Sequence, residues 1–176
     1  MVCAVRHAPV DAEDGTAGGV KRTKSGSAVL CAALLVLLSA CAGNRLKPDP
    51  ENDATRRQIV LDALGQVGRP YQYGGTSPDG FDCSGLVQYV YGLAGIKLPR
   101  TTREQHAYGL AVDMDDAEPG DLLFYSFGNG GIDHVAIYLG DDEAVHAPAA
   151  GRTVIVAGVH LKYWQSHFVD ARRVFR

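Results

Sequence analysis

One cysteine and two histidines have the types and spacing that nucleophilic chemistry needs. Cys83 ends the loop in residues 71–86 (YQYGGTSPDGFDCSGL), where two glycines and a Ser-Pro-Asp-Gly turn signal lead into Asp82-Cys83-Ser84-Gly85. An apolar-periodic run (Leu86, Val87, Val90, Tyr91) follows, so the cysteine falls where a loop ends and a helix begins. Unpaired N–H groups and a partial positive charge at a helix N-terminus favour a thiolate over a thiol. The competing reading is a small buried residue, because free cysteine is among the most buried types.

His134 and His146 lie in the strand-rich half of the chain. A thiolate nucleophile needs a base within hydrogen-bond reach, and that base needs a third group to fix its tautomer. A hairpin turning at residues 140–142 would pair about 138 with 144 and 136 with 146, which puts both histidines on one face. A helix N-terminus laid against that sheet would bring Cys83 to His134. His7, His106, His160 and His167 read as surface or satisfied core residues. A zinc site from Cys83, His134 and His146 has suitable ligand types but no short paired spacing, so no metal or cofactor is expected.

The elements that must position these groups follow from the pattern. A helix is expected from an Asn52 or Asp53 cap to about Val67, with Val60, Leu64 and Val67 on its buried face and Arg56, Arg57 and Asp62 elsewhere. A second runs from about Ser84 to Leu93. A third is opened by Thr101 and Glu104 at capping-box spacing and ends near Tyr108. After Pro119-Gly120 the pattern changes to strands at 122–127, 134–139, 144–147, 154–156 and 168–175. Helices first and strands later predict an α+β domain with an antiparallel sheet of about five to six strands.

At 176 residues, 46% apolar and 21% charged, one globular domain plus a tail is expected. A net charge of −3 gives no basic footprint for nucleic acid. Lys21, Arg22 and Lys24 precede an 11-residue apolar stretch, residues 28–38, too short to span a bilayer and suited to a secretory signal. It ends in Leu38-Ser39-Ala40-Cys41, which looks like a bacterial lipobox; Cys41 would be lipidated and become the mature N-terminus. Residues 1–40 are thus read as signal, with 1–19 expected not to be translated because acidic residues precede the positive ones. Residues 41–52 are read as lipidated N-terminus and polar tether, and 53–176 as the folded domain. Cleavage before Cys41 removes Cys3 and Cys31 and leaves Cys83 the one free thiol in an oxidising setting.

The segments PYQYGG (70–75), DCSGLV (82–87), LPRTT (98–102), PGDLLFY (119–125), DHVAIYLG (133–140) and VHAP (145–148) together resemble the NlpC-type bacterial cell-wall cysteine peptidases, especially Spr-like lipoprotein endopeptidases. The resemblance implies a pared-down papain-like fold and hydrolysis of peptide bonds in the stem peptides or cross-links of peptidoglycan. Cys83 matches the nucleophile, His134 the base and His146 the residue that orients it. Tyr71 matches a tyrosine beside the thiolate, and Asp82 and Ser84 match positions that contact substrate in relatives. Asp133 either stabilises protonated His134 or faces solvent. Ala42 after the lipobox cysteine implies the outer membrane, on the periplasmic side. Control by an adaptor or protease stays open. Alternatives are thioester-based acyl transfer or amidation on the same fold, and a non-catalytic wall-binding lipoprotein.

Overall fold

The computed structural model describes residues 49–128 and 130–175. The signal segment, Cys41 and most of the tether lie outside the described residues. Helix α1 (Pro50–Leu64) starts earlier than expected: Asp49, not Asn52 or Asp53, caps it by accepting the Glu51 N–H, and Pro50 occupies the first turn where no donor is needed. A two-residue hairpin, β1 (Thr76–Ser77) and β2 (Gly80–Phe81), precedes α2 (Cys83–Leu93). Helix α3 (Thr102–Tyr108) opens with the expected capping box between Thr101 and Glu104.

The strands β3 (Leu110–Val112), β4 (Leu122–Tyr125), β5 (His134–Gly140), β6 (Glu143–His146), β7 (Ile155–Gly158) and β8 (Phe168–Arg173) form one antiparallel sheet in the order β3-β8-β4-β5-β6-β7. This is the α+β architecture read from the sequence. The edge strand β3, the small hairpin and a one-turn helix, α4 (Lys162–Gln165), are additions that short, weakly patterned segments did not announce.

Both faces of the central strands are covered, which explains their continuous apolar runs. Leu122, Phe124, Val135, Ile137 and Val145 pack one face against Ile59 and Ala63 of α1 and Leu86, Val87 and Val90 of α2. Leu123, Tyr125, Ala136, Tyr138 and Ala144 line the other face with Trp164 of α4. Each large side chain so buried contributes about 1.5–3 kcal/mol.

The α1 face differs from the periodic expectation. Arg56, Ile59 and Ala63 are buried, whereas Leu64 and Val67 are 41% and 45% exposed. Arg56 is drawn inward by Asp121, at 3.0 Å, and its guanidinium lies 4.7 Å over the Phe175 ring. Asp121 is fully buried and also accepts from Arg173 at 2.8 Å and from the Glu118 N–H at 2.9 Å. The two arginines lie more than fifty residues from Asp121, beyond the reach of a helical-periodicity argument.

Candidate active site

The loop before α2 is locked onto the helix start. Asp82 caps α2, its Oδ1 accepting the Gly85 N–H at 2.7 Å, while Oδ2 accepts the Gly74 N–H at 3.0 Å. Arg100 grips the same carboxylate with both terminal nitrogens, at 3.1 and 2.6 Å, and donates to Ser84 Oγ at 2.8 Å. Partial burial pushes the Asp82 carboxyl up, but Arg100 and the two N–H groups prevail and hold it below its ordinary value. A side chain on Gly85 would place its Cβ 1.9 Å from the Gly75 carbonyl oxygen, so only glycine lets the loop lie this close.

Cys83 therefore occupies the first position of α2, half-buried. Its Sγ lies 3.6 Å from Thr102 Oγ1 and 3.9 Å from the Asp133 carbonyl, one residue before His134. Burial pushes the thiol up; Thr102 and the N–H groups of Val135 and Ser84 oppose it, and the Asp82 charge adds to it. The helix terminus alone favours a thiolate, but here desolvation outweighs it and the resting group is the thiol.

The hairpin of β5 and β6 has the expected register, with Tyr138 opposite Ala144. Asp141 and Asp142 form its turn with φ of 48° and 60°, the left-handed conformation that a two-residue hairpin requires. His134 and His146 accordingly share a face: His134 Nε2 and His146 Nδ1 are 3.2 Å apart and their rings are coplanar within 1°. Nε2 of His134 is thus occupied by His146, and Nδ1 is the nitrogen left free of that contact. Burial lowers His134 to about 4, with the Asp133 charge acting the other way. His146 is pushed well below its ordinary value by burial and by His134, so both imidazoles rest neutral near pH 7.

Trp164, the chain's single tryptophan, covers the pair, stacked on His146 at 3.8 Å between ring centroids and on His134 at 5.5 Å. Tyr125 lies on the same side, 5.7 Å from each imidazole. Asp133 is tied down by the N–H groups of Phe127 and Gly128, both at 2.9 Å, and orders the loop before β5. It thereby does more than either sequence expectation assigned to it. Tyr71 borders the same groove as Cys83 and His134, a cavity of about 720 Å³. Burial, followed by the charges of Cys83 and Asp82, raises the Tyr71 phenol, which keeps it a hydrogen-bond donor.

The structure thus brings Tyr71, Cys83 and His134 to one groove, with His146 behind His134. Asp82 and Ser84 sit buried behind the thiol, engaged with Arg100, Gly74 and Gly85. Arg100, Thr102 and Trp164 escaped sequence reasoning. LPRTT carried the first two, but only the fold shows that Arg100 reaches Asp82.

A thiol at a helix start, sharing a groove with an imidazole held by a second imidazole on an antiparallel sheet, defines a cysteine–histidine site on an α+β scaffold. The chain belongs to the NlpC/P60 family, whose profile matches residues 68–173. It is similar to the probable endopeptidase YafL of Escherichia coli K12, 45% identical over 114 residues, covering 62% of this chain and 46% of that protein. The murein DD-endopeptidase MepH of the same organism is 42% identical over 114 residues, covering 62% and 42%. The chain thus spans less than half the length of these curated relatives. Among solved structures, an NlpC/P60 family protein of Bacillus cereus ATCC 10987 superposes with a TM-score of 0.66 at 34% identity, covering 69% of this chain and 40% of that one. The NlpC/P60 domain of the peptidoglycan hydrolase SagA gives 0.60 at 37% identity, covering 67% and 97%.

Proposed function

We propose that the protein is a peptidoglycan endopeptidase that cuts amide bonds of stem peptides or cross-links through a cysteine thioester. The observation that carries this reading is the juxtaposition of Cys83 and His134 in one groove, with His134 Nε2 held 3.2 Å from His146 Nδ1. The named activities of the family relatives, murein endopeptidase and peptidoglycan hydrolase, support the substrate class.

The chemistry follows from the neutral resting pair. As Cys83 Sγ attacks the scissile carbonyl, its proton passes to His134 Nδ1, and the His134 Nε2–H donates to His146 Nδ1. Proton transfer accompanies attack because burial disfavours both the isolated thiolate and the isolated imidazolium. The Cys83 N–H, at the first helical position and without an intrahelical acceptor, faces the developing oxyanion together with the Tyr71 hydroxyl. Protonated His134 then donates to the leaving amine, and water attacks the thioester to release the acid and restore the thiol. Asp82, Ser84 and Arg100 act as positioning residues for Cys83; an added contact of Asp82 or Ser84 with substrate belongs to the same proposal. Lipidation at Cys41 would anchor the enzyme to the outer membrane on the periplasmic side; the charged, apolar and small-residue order of residues 21–41 supports this.

The test is digestion of purified peptidoglycan by the detergent-solubilised full chain beside Cys83→Ala, with mass analysis of the fragments. New amine and carboxylate ends from the wild type alone are expected, and the masses name the bond. Turnover retained in Cys83→Ala would end the mechanism. Products carrying an added amine would indicate acyl transfer. An intact wall that binds the protein would indicate a binding lipoprotein.

A further inference from the structure

Arg152 lies in the loop between β6 and β7 and lines the groove that holds Cys83 and His134. Its backbone is fixed from both sides: its N–H donates to the Ala149 carbonyl at 3.2 Å, and its own carbonyl accepts the Tyr71 N–H at 2.8 Å. Thr153 next to it bridges Pro70, so the loop is fastened to the segment that carries Tyr71. The guanidinium is exposed and left unpaired. Arg56, Arg100, Arg172 and Arg173 each pair with a carboxylate, whereas Arg152, like Arg57 and Arg69, has no side-chain hydrogen bond or ion pair among the described residues. Of these three only Arg152 lines the groove.

The groove does little to cancel this charge. Among its described lining residues Arg152 is the one cation, His134 being neutral, and Asp133 is the one carboxylate. Asp133 is occupied by the Phe127 and Gly128 N–H groups. Much of the remaining wall is apolar, including Ala147, Pro148, Ile155 and Leu161. A cleft with low-dielectric walls focuses the field of an uncompensated charge, and a guanidinium matches a carboxylate with two parallel donors. The anchored backbone reduces the ordering cost of binding.

We infer that Arg152 forms a carboxylate subsite, so the groove selects peptides that carry a free carboxylate over the same peptides with a carboxamide there. This rests on the reading of the groove as a peptide-cleaving site. It assigns Arg152 to substrate choice and leaves the chemical step to Cys83 and His134.

Two synthetic stem-type peptides, alike except that the side carboxyl groups are free in one and carboxamides in the other, test it. The full-length wild type is expected to show kcat/KM roughly three- to tenfold higher for the free acid, the range for a partly exposed charge-assisted pair. Arg152→Ala and Arg152→Gln should bring the ratio to about one, mainly through KM, and Arg152→Lys should restore part of it. A wild type without preference, or a preference kept in Arg152→Ala at unchanged thermal stability, overturns the inference. If the wild type cuts neither peptide, the functional reading fails separately. Calorimetric binding of both peptides to Cys83→Ala, with and without Arg152→Ala, then decides: Arg152-dependent preference for the acid upholds the subsite, and equal binding removes it.

Discussion

Two of the buried polar clusters in this domain, one around Asp121 and one around His134 and His146, are built by opposite rules. In the first, Asp121 is fully buried and every neighbour serves it: Arg56, Arg173 and the Glu118 N–H all donate to its carboxylate, and Arg173 holds its proton more firmly as a result. It ties α1 and β8 to the start of β4. In the second, His134 and His146 are almost as deeply buried but share one contact between them, and His146 Nε2 and the Tyr125 hydroxyl have no hydrogen-bond partner among the described residues. Saturated partners fix a charge in place. Unsaturated ones leave a proton free to move, at a cost in stability that the aromatic cover of Trp164 offsets.

Removing the thiol that the histidine cluster serves and the carboxylate at the centre of the other cluster should separate activity from stability. Cys83→Ala is expected to lose turnover by about 10⁴-fold or more while its melting temperature stays near that of wild type, checked by fragment assay and thermal denaturation. Asp121→Ala should do the reverse, losing about 3 kcal/mol of folding stability because the buried Arg56 and the half-buried Arg173 are left with only the exposed Glu118 as a carboxylate partner. Urea unfolding measures this, and kcat of the fraction still folded should change little. An Asp121→Ala protein as stable as wild type would break the contrast.

Acidification should find the histidine cluster first. The folded-state value for His134 is about 4, below the ordinary 6.5, so the unfolded chain binds protons that the folded one refuses. The stability this group contributes is complete above pH 6.5 and declines as pH falls from there towards 4, by about 3 kcal/mol over the window. His146 acts in the same direction. Urea midpoints measured from pH 7.5 down to 4.5 should fall, and His146→Asn should flatten the slope.

His146→Asn should also cost about ten- to a hundredfold in turnover with a small change in melting temperature near pH 7.5, since an amide oxygen can accept the His134 N–H but fits less well beneath Trp164. Steady-state assays resolve it. The smallest effect is expected for Tyr125→Phe. Removing an unpartnered buried hydroxyl should change stability by no more than about 1 kcal/mol, in the stabilising direction, as read from urea unfolding. A loss of several kcal/mol there would mean that the hydroxyl is satisfied, and the distinction between the clusters would narrow.

The sequence alone determined what local rules reach. The Thr101–Glu104 capping box, the helix start at Cys83 and the hairpin register that puts His134 and His146 on one face each follow from a few adjacent residues, and the structure contains all three. The α+β order was legible for the same reason, since the hydrophobic period changes once along the chain. What only the tertiary structure decided are pairings across long separations. Arg56 turns inward because Asp121 lies 65 residues on, although its place in α1 reads as a polar face. Arg100 clamps Asp82 from 18 residues away, and Trp164 covers an imidazole that precedes it by the same number. The ionisation of the site belongs here as well. A helix terminus beside a cysteine predicts a thiolate, but burial is a property of the packed core, and here it returns the proton to sulfur and keeps both imidazoles neutral.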